Sequence, residues 1–395
     1  MPEMFGTHHT KVEELPIISS TIDLTFEQML ILFRHDNTVQ VIIHTANMIP
    51  FDWGNMAQGL WSSPLLPLSS VNAPPEQLGP IGSGSRFKVD LLNYLKAYDT
   101  KRTICKALIE QLSKHDFSEV RGALVGSVPG KQEVDGDQQT SWGWLGFKNV
   151  LEAIPVRGSE PEIVVQISSI ATLGGTDKWL DKTLSKALSS SKNIATSKPK
   201  FRIIFPTADE IRRSLNGYNS GSAIHTKIQS AAQAKQVQYL KPMLCHWAGD
   251  GPQHSSATSS APISDAGRKR AAPHIKTYVR FTDKQCSSID WKLLTSANLS
   301  KQAWGEAPNA TGEVKICSYE IGVLVWPELF GDKATMVPTF KTDNPPADCK
   351  TDGLVVGARM TYDLPLVPYA KDELPWCASA SYTEPDWTGE TWNVG

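Results

Sequence analysis

Pro273-His274-Ile275-Lys276-Thr277-Tyr278-Val279-Arg280-Phe281, followed after a short break by Ile289-Asp290-Trp291-Lys292-Leu293-Leu294-Thr295-Ser296-Ala297-Asn298, is the stretch whose reading decides the fold. His274-Ile275-Lys276 opens an alternating strand that runs through Tyr278 and Arg280. A turn lies around Asp283 to Gln285, and a second strand from Ile289 to Leu294 ends in Ser296-Ala297-Asn298. Residues two apart on a strand project from one face, so His274 and Lys276 aim at one site. Asn298, at the end of the neighbouring strand, reaches the same spot. One hairpin thus offers an imidazole, an ammonium and an amide.

The same order stands at the beginning of the chain. His9-Thr10-Lys11 precedes a strand from Met29 to Phe33, a turn at His35-Asp36-Asn37, a strand from Val39 to His44, and Thr45-Ala46-Asn47. An internal repeat of this kind predicts two structurally equivalent halves. Facing each other, they converge two His, two Lys and two Asn on one point. That set suits a phosphodiester, whose non-bridging oxygens gain charge during displacement. One imidazole attacks phosphorus and the other protonates the leaving oxygen, then deprotonates water. The Lys and Asn pairs supply the charge stabilisation, so neither a metal nor a cofactor is expected.

Length and composition set the outer limits. At 395 residues, 40% of them hydrophobic and 20% charged, the chain can bury a large core and hold two domains, expected at 1–120 and 121–395. Its longest apolar runs, such as Val39 to His44 and Ile321 to Trp326, are strand-sized, against the ~20 residues of a membrane helix. Met1 to Gly6 is neither basic nor apolar, so no secretory signal is expected and the compartment reads as cytosolic or nuclear. Cys105, Cys245, Cys286, Cys317, Cys349 and Cys377 include no CxxC pair and are expected to be reduced thiols. Cys245-His246 with His254 falls short of metal-ligand spacing. The net charge of -2 matters because proteins that grip duplex DNA by many phosphates are usually basic, so a nucleic-acid site here must be a local groove.

Between the two hairpins, a helical pattern over Lys88 to Tyr98 and strand-like runs at Ile163 to Ile167 and Phe201 to Phe205 predict mixed α/β layers. Pro129 to Thr140, Ser185 to Lys200 and Asp250 to Ala271 are rich in Gly, Ser, Pro or charge and are expected to be surface insertions. Arg268-Lys269-Arg270 in the last of them reads as a solvated basic run. Pro365 to Trp392 reads as an irregular wrap over the surface.

The duplicated His-Lys-Asn arrangement resembles the phospholipase D superfamily, whose usual motif is H-x-K-x4-D. Here the position five after Lys276 is Phe281, and that missing Asp resembles the tyrosyl-DNA phosphodiesterase branch. The strings Phe5-Gly6-Thr7-His8-His9-Thr10-Lys11, Pro273 to Tyr278, Thr295 to Ser300 with Ala303-Trp304-Gly305, and Ser318 to Leu324 look like that family almost letter for letter. The resemblance implies two similar α/β/α domains related by a pseudo-twofold axis. It implies hydrolysis of the bond between a DNA 3′ phosphate and a topoisomerase-derived tyrosyl peptide, in the nucleus, by a monomer acting on single-stranded or duplex ends. Carried over by position, His9 is the nucleophile and His274 the general acid and then base. Lys11, Lys276, Asn47 and Asn298 bind phosphate, Glu320 and Gln58 orient the two histidines, and Ser169 and Ser300 contact DNA phosphates.

Two departures from the family pattern stand in the first half. Few residues precede His9, so the first domain reads as N-terminally truncated. Val12 to Gln28 intervenes where the family continues from the lysine straight into an apolar strand. His9 to Asn47 spans 38 positions and His274 to Asn298 spans 24; without the 17 residues from 12 to 28 the first span falls to 21. A Val-Glu start compatible with a GT donor, a Gln end compatible with an AG acceptor, and a whole number of codons mark this stretch as an unspliced intron or else a natural loop insertion. A transcript that always contains it would exclude the intron. Three functions therefore remain open: the phosphodiesterase, an impaired DNA-end-binding protein of the same family, and, against the missing Asp, a lipase or nuclease of the superfamily.

Overall fold

The computed structural model describes residues 28–70, 77–99, 105–136, 138–195, 197–247, 263–347 and 352–394. His9, Lys11, His254, Cys349 and all of the 12–28 segment except Gln28 lie outside the described residues.

The first hairpin forms as its alternation dictates. Strands β1 (Met29–Phe33) and β2 (Val39–His44) pair antiparallel, Met29 opposite Ile43 and Phe33 opposite Val39. Val39, Val41 and Ile43 are fully buried, and Asn37 takes the left-handed turn conformation that its short polar side chain tolerates. A single turn of helix, α1 (Pro50–Trp53), leads to β3 (Met56–Ala57) and β4 (Leu60–Ser62), and β4 adds to β2. Helix α2 (Gly84–Tyr98) is capped by the Ser83 side chain and buries Phe87, Leu91, Tyr94 and Leu95 along one stripe.

The second hairpin sits inside a nine-stranded sheet. After α3 (Lys106–Leu112), β5 (Ala123–Ser127) and β6 (Gly130–Glu133) come α4 (Gly143–Leu151), β7 (Glu162–Gln166), β8 (Lys200–Ile204) and β9 (Leu244–Cys245). Then follow β10 (Ala272–Pro273), β11 (Thr277–Phe281), β12 (Ile289–Thr295), β13 (Glu313–Ile316), β14 (Glu320–Val325), β15 (Thr335–Thr339) and β16 (Val355–Arg359). The main path runs β16-β15-β12-β11-β7-β8-β9, and β14 joins β12 to β5. Every residue of β11 and β12 is buried. Phe147 of α4 packs on Trp291 and Trp304, and the Trp304 indole donates to the Tyr278 hydroxyl at 2.9 Å, as a buried indole requires. Arg280, also buried, is neutralised by Asp290 at 3.0 Å.

Contacts between the described residues join these sheets, two of them through the backbone and ring stacking. Strand β10 pairs with β3, so that both His274 N and Ile275 N donate to Ala57 O at 3.0 and 2.9 Å. Tyr319, just before β14, stacks on Tyr98 of α2 with centroids 3.9 Å apart and donates to Ala97 O.

Some expected surface insertions are structural. Ser185, Ala187 and Leu188 are buried in a helical run, and Gly130–Glu133 pairs with β13. Of 250–271, Ala266 is buried and Ser264 bridges to Leu364. The irregular C-terminal wrap is present and anchored. Trp376 is buried, and its indole donates to Gly221 O and Ile224 O. A Cβ at Gly221 would lie 2.2 Å from that ring, so glycine is required there. The tail thereby fixes the 217–225 loop, which walls the site described next. Among the described residues no helix is long and apolar enough to cross a membrane.

Candidate active site

A cavity of about 470 Å³ opens where the two hairpins meet. Of the residues singled out in the sequence, Asn47, Ser169, His274, Lys276, Asn298 and Glu320 line it. Gln58 stands behind the wall against His274. The Ser300 side chain accepts from Ala303 N at 3.0 Å, capping the short helix α8 (Lys301–Trp304 in residue range; the intervening Lys186–Leu188, Ala208–Arg212 and Ala231–Leu240 are α5, α6 and α7). Ser300 does not line the cavity.

The His274 ring is held from its Nδ1 side. Gln58 Nε2 and Oε1 lie 3.1 and 3.3 Å from Nδ1, and Asp52 Oδ2 lies at 3.4 Å. Gln58 itself is oriented by the Thr45 hydroxyl, which donates to its Oε1 at 2.8 Å, and by its own donation to Asp52 O at 3.1 Å. Burial holds the imidazole well below its usual pKa, and the Lys276 ammonium lowers it further. The free site therefore carries a neutral imidazole. An anionic phosphate entering beside it raises that pKa and favours the protonated form.

Lys276 is fully enclosed, with Nζ 2.5 Å from His274 O and 3.2 and 3.3 Å from the ring nitrogens. Burial pulls the ammonium down to about 7, against the opposing pull of Glu320 and Asp52. Glu320 is pushed up to about 7 by burial, although the Ser296 hydroxyl, donating at 2.5 Å, and Lys276 both favour its charged form. Asn298 is locked in one orientation. Its Oδ1 accepts from Ser168 N at 3.1 Å and Ser169 N at 2.9 Å, so the amide nitrogen has to face the other way.

The hydrogen bonds around the two asparagines correspond pair by pair. Thr45 N donates to Gly59 O and Gly59 N to the Thr45 hydroxyl; Ser296 N donates to Ile321 O and Ile321 N to the Ser296 hydroxyl. The Thr45 hydroxyl then donates to Gln58, and the Ser296 hydroxyl to Glu320. Gln58 and Glu320 hold equivalent places in these two networks. Gln58 reaches His274, on the opposite hairpin.

Asp52, His225, Ser168 and Gln28 are among the cavity residues that escaped the sequence reading. Asp52 accepts from Asn47 N at 2.7 Å while facing His274; an acid within the apolar turn Ile49-Pro50-Phe51-Asp52-Trp53 was the available signal. His225 enters on the loop held by Trp376, and its backbone bridges Ser168 and Ile170. Ser168 shares Asn298 with Ser169, and Gln28 lines the wall beside β1. The Cys245-His246 pair has a structural setting: His246 is bonded to Glu210 at 3.2 Å and Glu373 at 2.9 Å.

Imidazole, ammonium and amide groups converging from two hairpins on one polar cavity define a phosphodiesterase of the phospholipase D superfamily. Comparison with known proteins narrows the class. The family described as "Tyrosyl-DNA phosphodiesterase" matches residues 1–370, and the chain belongs to that family, whose reaction is hydrolysis of phosphotyrosyl–DNA bonds. It is 31% identical over 464 residues to a probable tyrosyl-DNA phosphodiesterase of Schizosaccharomyces pombe, covering 98% of this chain and 78% of that protein. To the tyrosyl-DNA phosphodiesterase 1 of Drosophila melanogaster it is 32% identical, covering 95% of this chain and 58% of that one. A solved structure of the yeast tyrosyl-DNA phosphodiesterase shares the fold, with a TM-score of 0.62 at 22% identity over 88% of this chain and 76% of that one.

Proposed function

We propose that this chain acts on DNA 3′ ends bearing a topoisomerase-derived tyrosyl peptide, in nuclear DNA repair, and that it works as a monomer. The observation that carries the reading is the convergence of His274, Lys276, Asn298 and Asn47 on one cavity, with Gln58 and Asp52 fixing the imidazole. The roles follow the family resemblance. His9 attacks phosphorus, a P–N bond forms and the P–O bond to tyrosine breaks, and His274 gives its proton to the departing phenolate oxygen. Water then attacks the phosphohistidine; His274 takes its proton, the P–N bond breaks, and a DNA 3′ phosphate leaves. Lys276, Lys11 and the two asparagines hold the phosphate oxygens, and Glu320 orients His9 as Gln58 orients His274. Ser169 and Ser300 contact the phosphates of the strand. The same chemistry extends to other 3′ blocking groups and to exonucleolytic trimming of single-stranded ends.

The matching hydrogen-bond networks support two similar α/β/α halves related by a pseudo-twofold axis, at 1–120 and 121–395. The test offers purified protein a 3′-phosphotyrosyl oligonucleotide in EDTA. Release of tyrosine with a 3′ phosphate left on the DNA is the expected result; stable binding without release would favour an end-binding protein instead.

A further inference from the structure

The two hairpins share a register, and it identifies what fills the lysine position of the first. In the second hairpin Thr277 lies opposite Leu294, and Thr295 N donates to Lys276 O. In the first, Met29 lies opposite Ile43, and His44 N donates to Gln28 O. Gln28 therefore stands where Lys276 stands, and both line the cavity. The residue counts agree. Lys276 precedes Asn298 by 22 positions and Gln28 precedes Asn47 by 19. Two of the three extra positions lie in the longer turn between Phe281 and Ile289, and the third is the β-bulge between Arg280 and Phe281.

We infer that Gln28 occupies the seat of the first half-site that the family resemblance gives to Lys11, so that this seat carries a neutral amide in place of a phosphate-binding ammonium and turnover is lowered. The inference rests on the phosphodiesterase reading. In sequence, Phe26 stands two places before Gln28, where the second half has His274. Removing 12–28 joins Lys11 directly to Met29, which gives the seat a lysine and the place two before it a histidine, His9. A lysine there binds the anionic phosphate opposite Lys276 and stabilises further the charge that grows on its oxygens during displacement. Its effect thus falls on kcat more than on KM.

The experiment compares three preparations on a 3′-phosphotyrosyl oligonucleotide in EDTA: the parent, a chain lacking 12–28, and Phe26→His/Gln28→Lys. The double substitution writes H-x-K into the sequence directly before β1 without shortening the chain, and so serves where the deletion does not fold. The expected result is a kcat at least ~10²-fold above the parent for either variant, the size of effect associated with one transition-state donor, with a much smaller change in KM. A chain lacking 12–28 that also carries Lys11→Gln should lose most of that gain. If the folded variants turn over no faster than a measurably active parent, the inference is overturned and the phosphodiesterase reading survives. If no chain releases tyrosine, both fall.

Discussion

The two half-sites share a hydrogen-bonding plan and differ in charge. Around the first asparagine stand the neutral Gln28, Thr45 and Gln58, and the Asp52 carboxyl accepts from the Asn47 backbone N–H. Around the second stand Lys276, Ser296 and Glu320, with His274 alongside. The plan is set by backbone pairing, which any sequence of the right alternation can make. The charge is set by single side chains, and a shift of register exchanges them without disturbing a strand. The comparison teaches that fold similarity and catalytic equivalence are separate properties here: the first hairpin can be well formed while its seat carries an amide.

The severest way to probe the asymmetry is to remove the His274 imidazole from the second half. His274→Ala should lower tyrosine release by about 10²- to 10⁴-fold, the usual contribution of a general acid–base group. With a nitrophenyl leaving group, which needs no proton, adduct formation should be spared and its hydrolysis should remain slow. Single-turnover trapping of the covalent DNA adduct separates the two steps. Equal loss in both would remove His274 from its role as acid and base.

The asparagines give a finer contrast. Asn298 accepts two backbone N–H groups, from Ser168 and Ser169, whereas the Asn47 side chain makes no hydrogen bond to the described residues. Asn298→Ala should therefore lower both turnover and stability, the latter by about 1–3 kcal/mol for donors left unsatisfied. Asn47→Ala should lower turnover alone. Urea unfolding of the two variants checks this, and similar midpoints would show that Asn298 is no more structural than its counterpart.

Much of this was legible in the sequence. Both hairpins follow from alternation and turn residues, and the shared face of His274, Lys276 and Asn298 from their spacing; Glu320 was reached only through the family resemblance. What escaped has physical reasons. Asp52 acts through one short turn of helix that has no period to read. His225 owes its place to a loop pinned by Trp376, more than 150 residues away in the chain. Leu188 is buried in a helical run too short to show a stripe. The Ser300 hydroxyl caps α8, a role that the sequence reading did not give it. Gln28 reads as the last residue of an insertion until the ladder shows it opposite the residue that follows Ile43.

The smallest effect concerns the difference between Gln58 and Glu320, equivalent in position but not in chemistry. Burial pushes the Glu320 carboxyl from 4.5 up to about 7, against the Ser296 hydroxyl and Lys276. A folded pKa above the unfolded one means that the native state binds the extra proton. The contribution to stability is fully present below pH 4.5 and is lost as pH rises through about 7, at no more than about 1.4 kcal/mol per pH unit. Lys276 has the opposite displacement, from 10.5 down to about 7, so its cost is relieved as pH rises above 7. Together the two groups place a shallow stability minimum near neutrality. Glu320→Gln gives the second half the amide that the first half has in Gln58. The variant should gain stability relative to the parent as pH rises from 5 to 7. It should also begin its alkaline recovery earlier, because Lys276 loses the carboxylate that favours its charged form. The difference between the two chains, measured by urea unfolding across pH 5 to 9, isolates this pair from the other buried histidines. A difference that does not vary with pH would mean that Glu320 does not titrate in the fold, and that the two halves are closer in electrostatics than their side chains indicate.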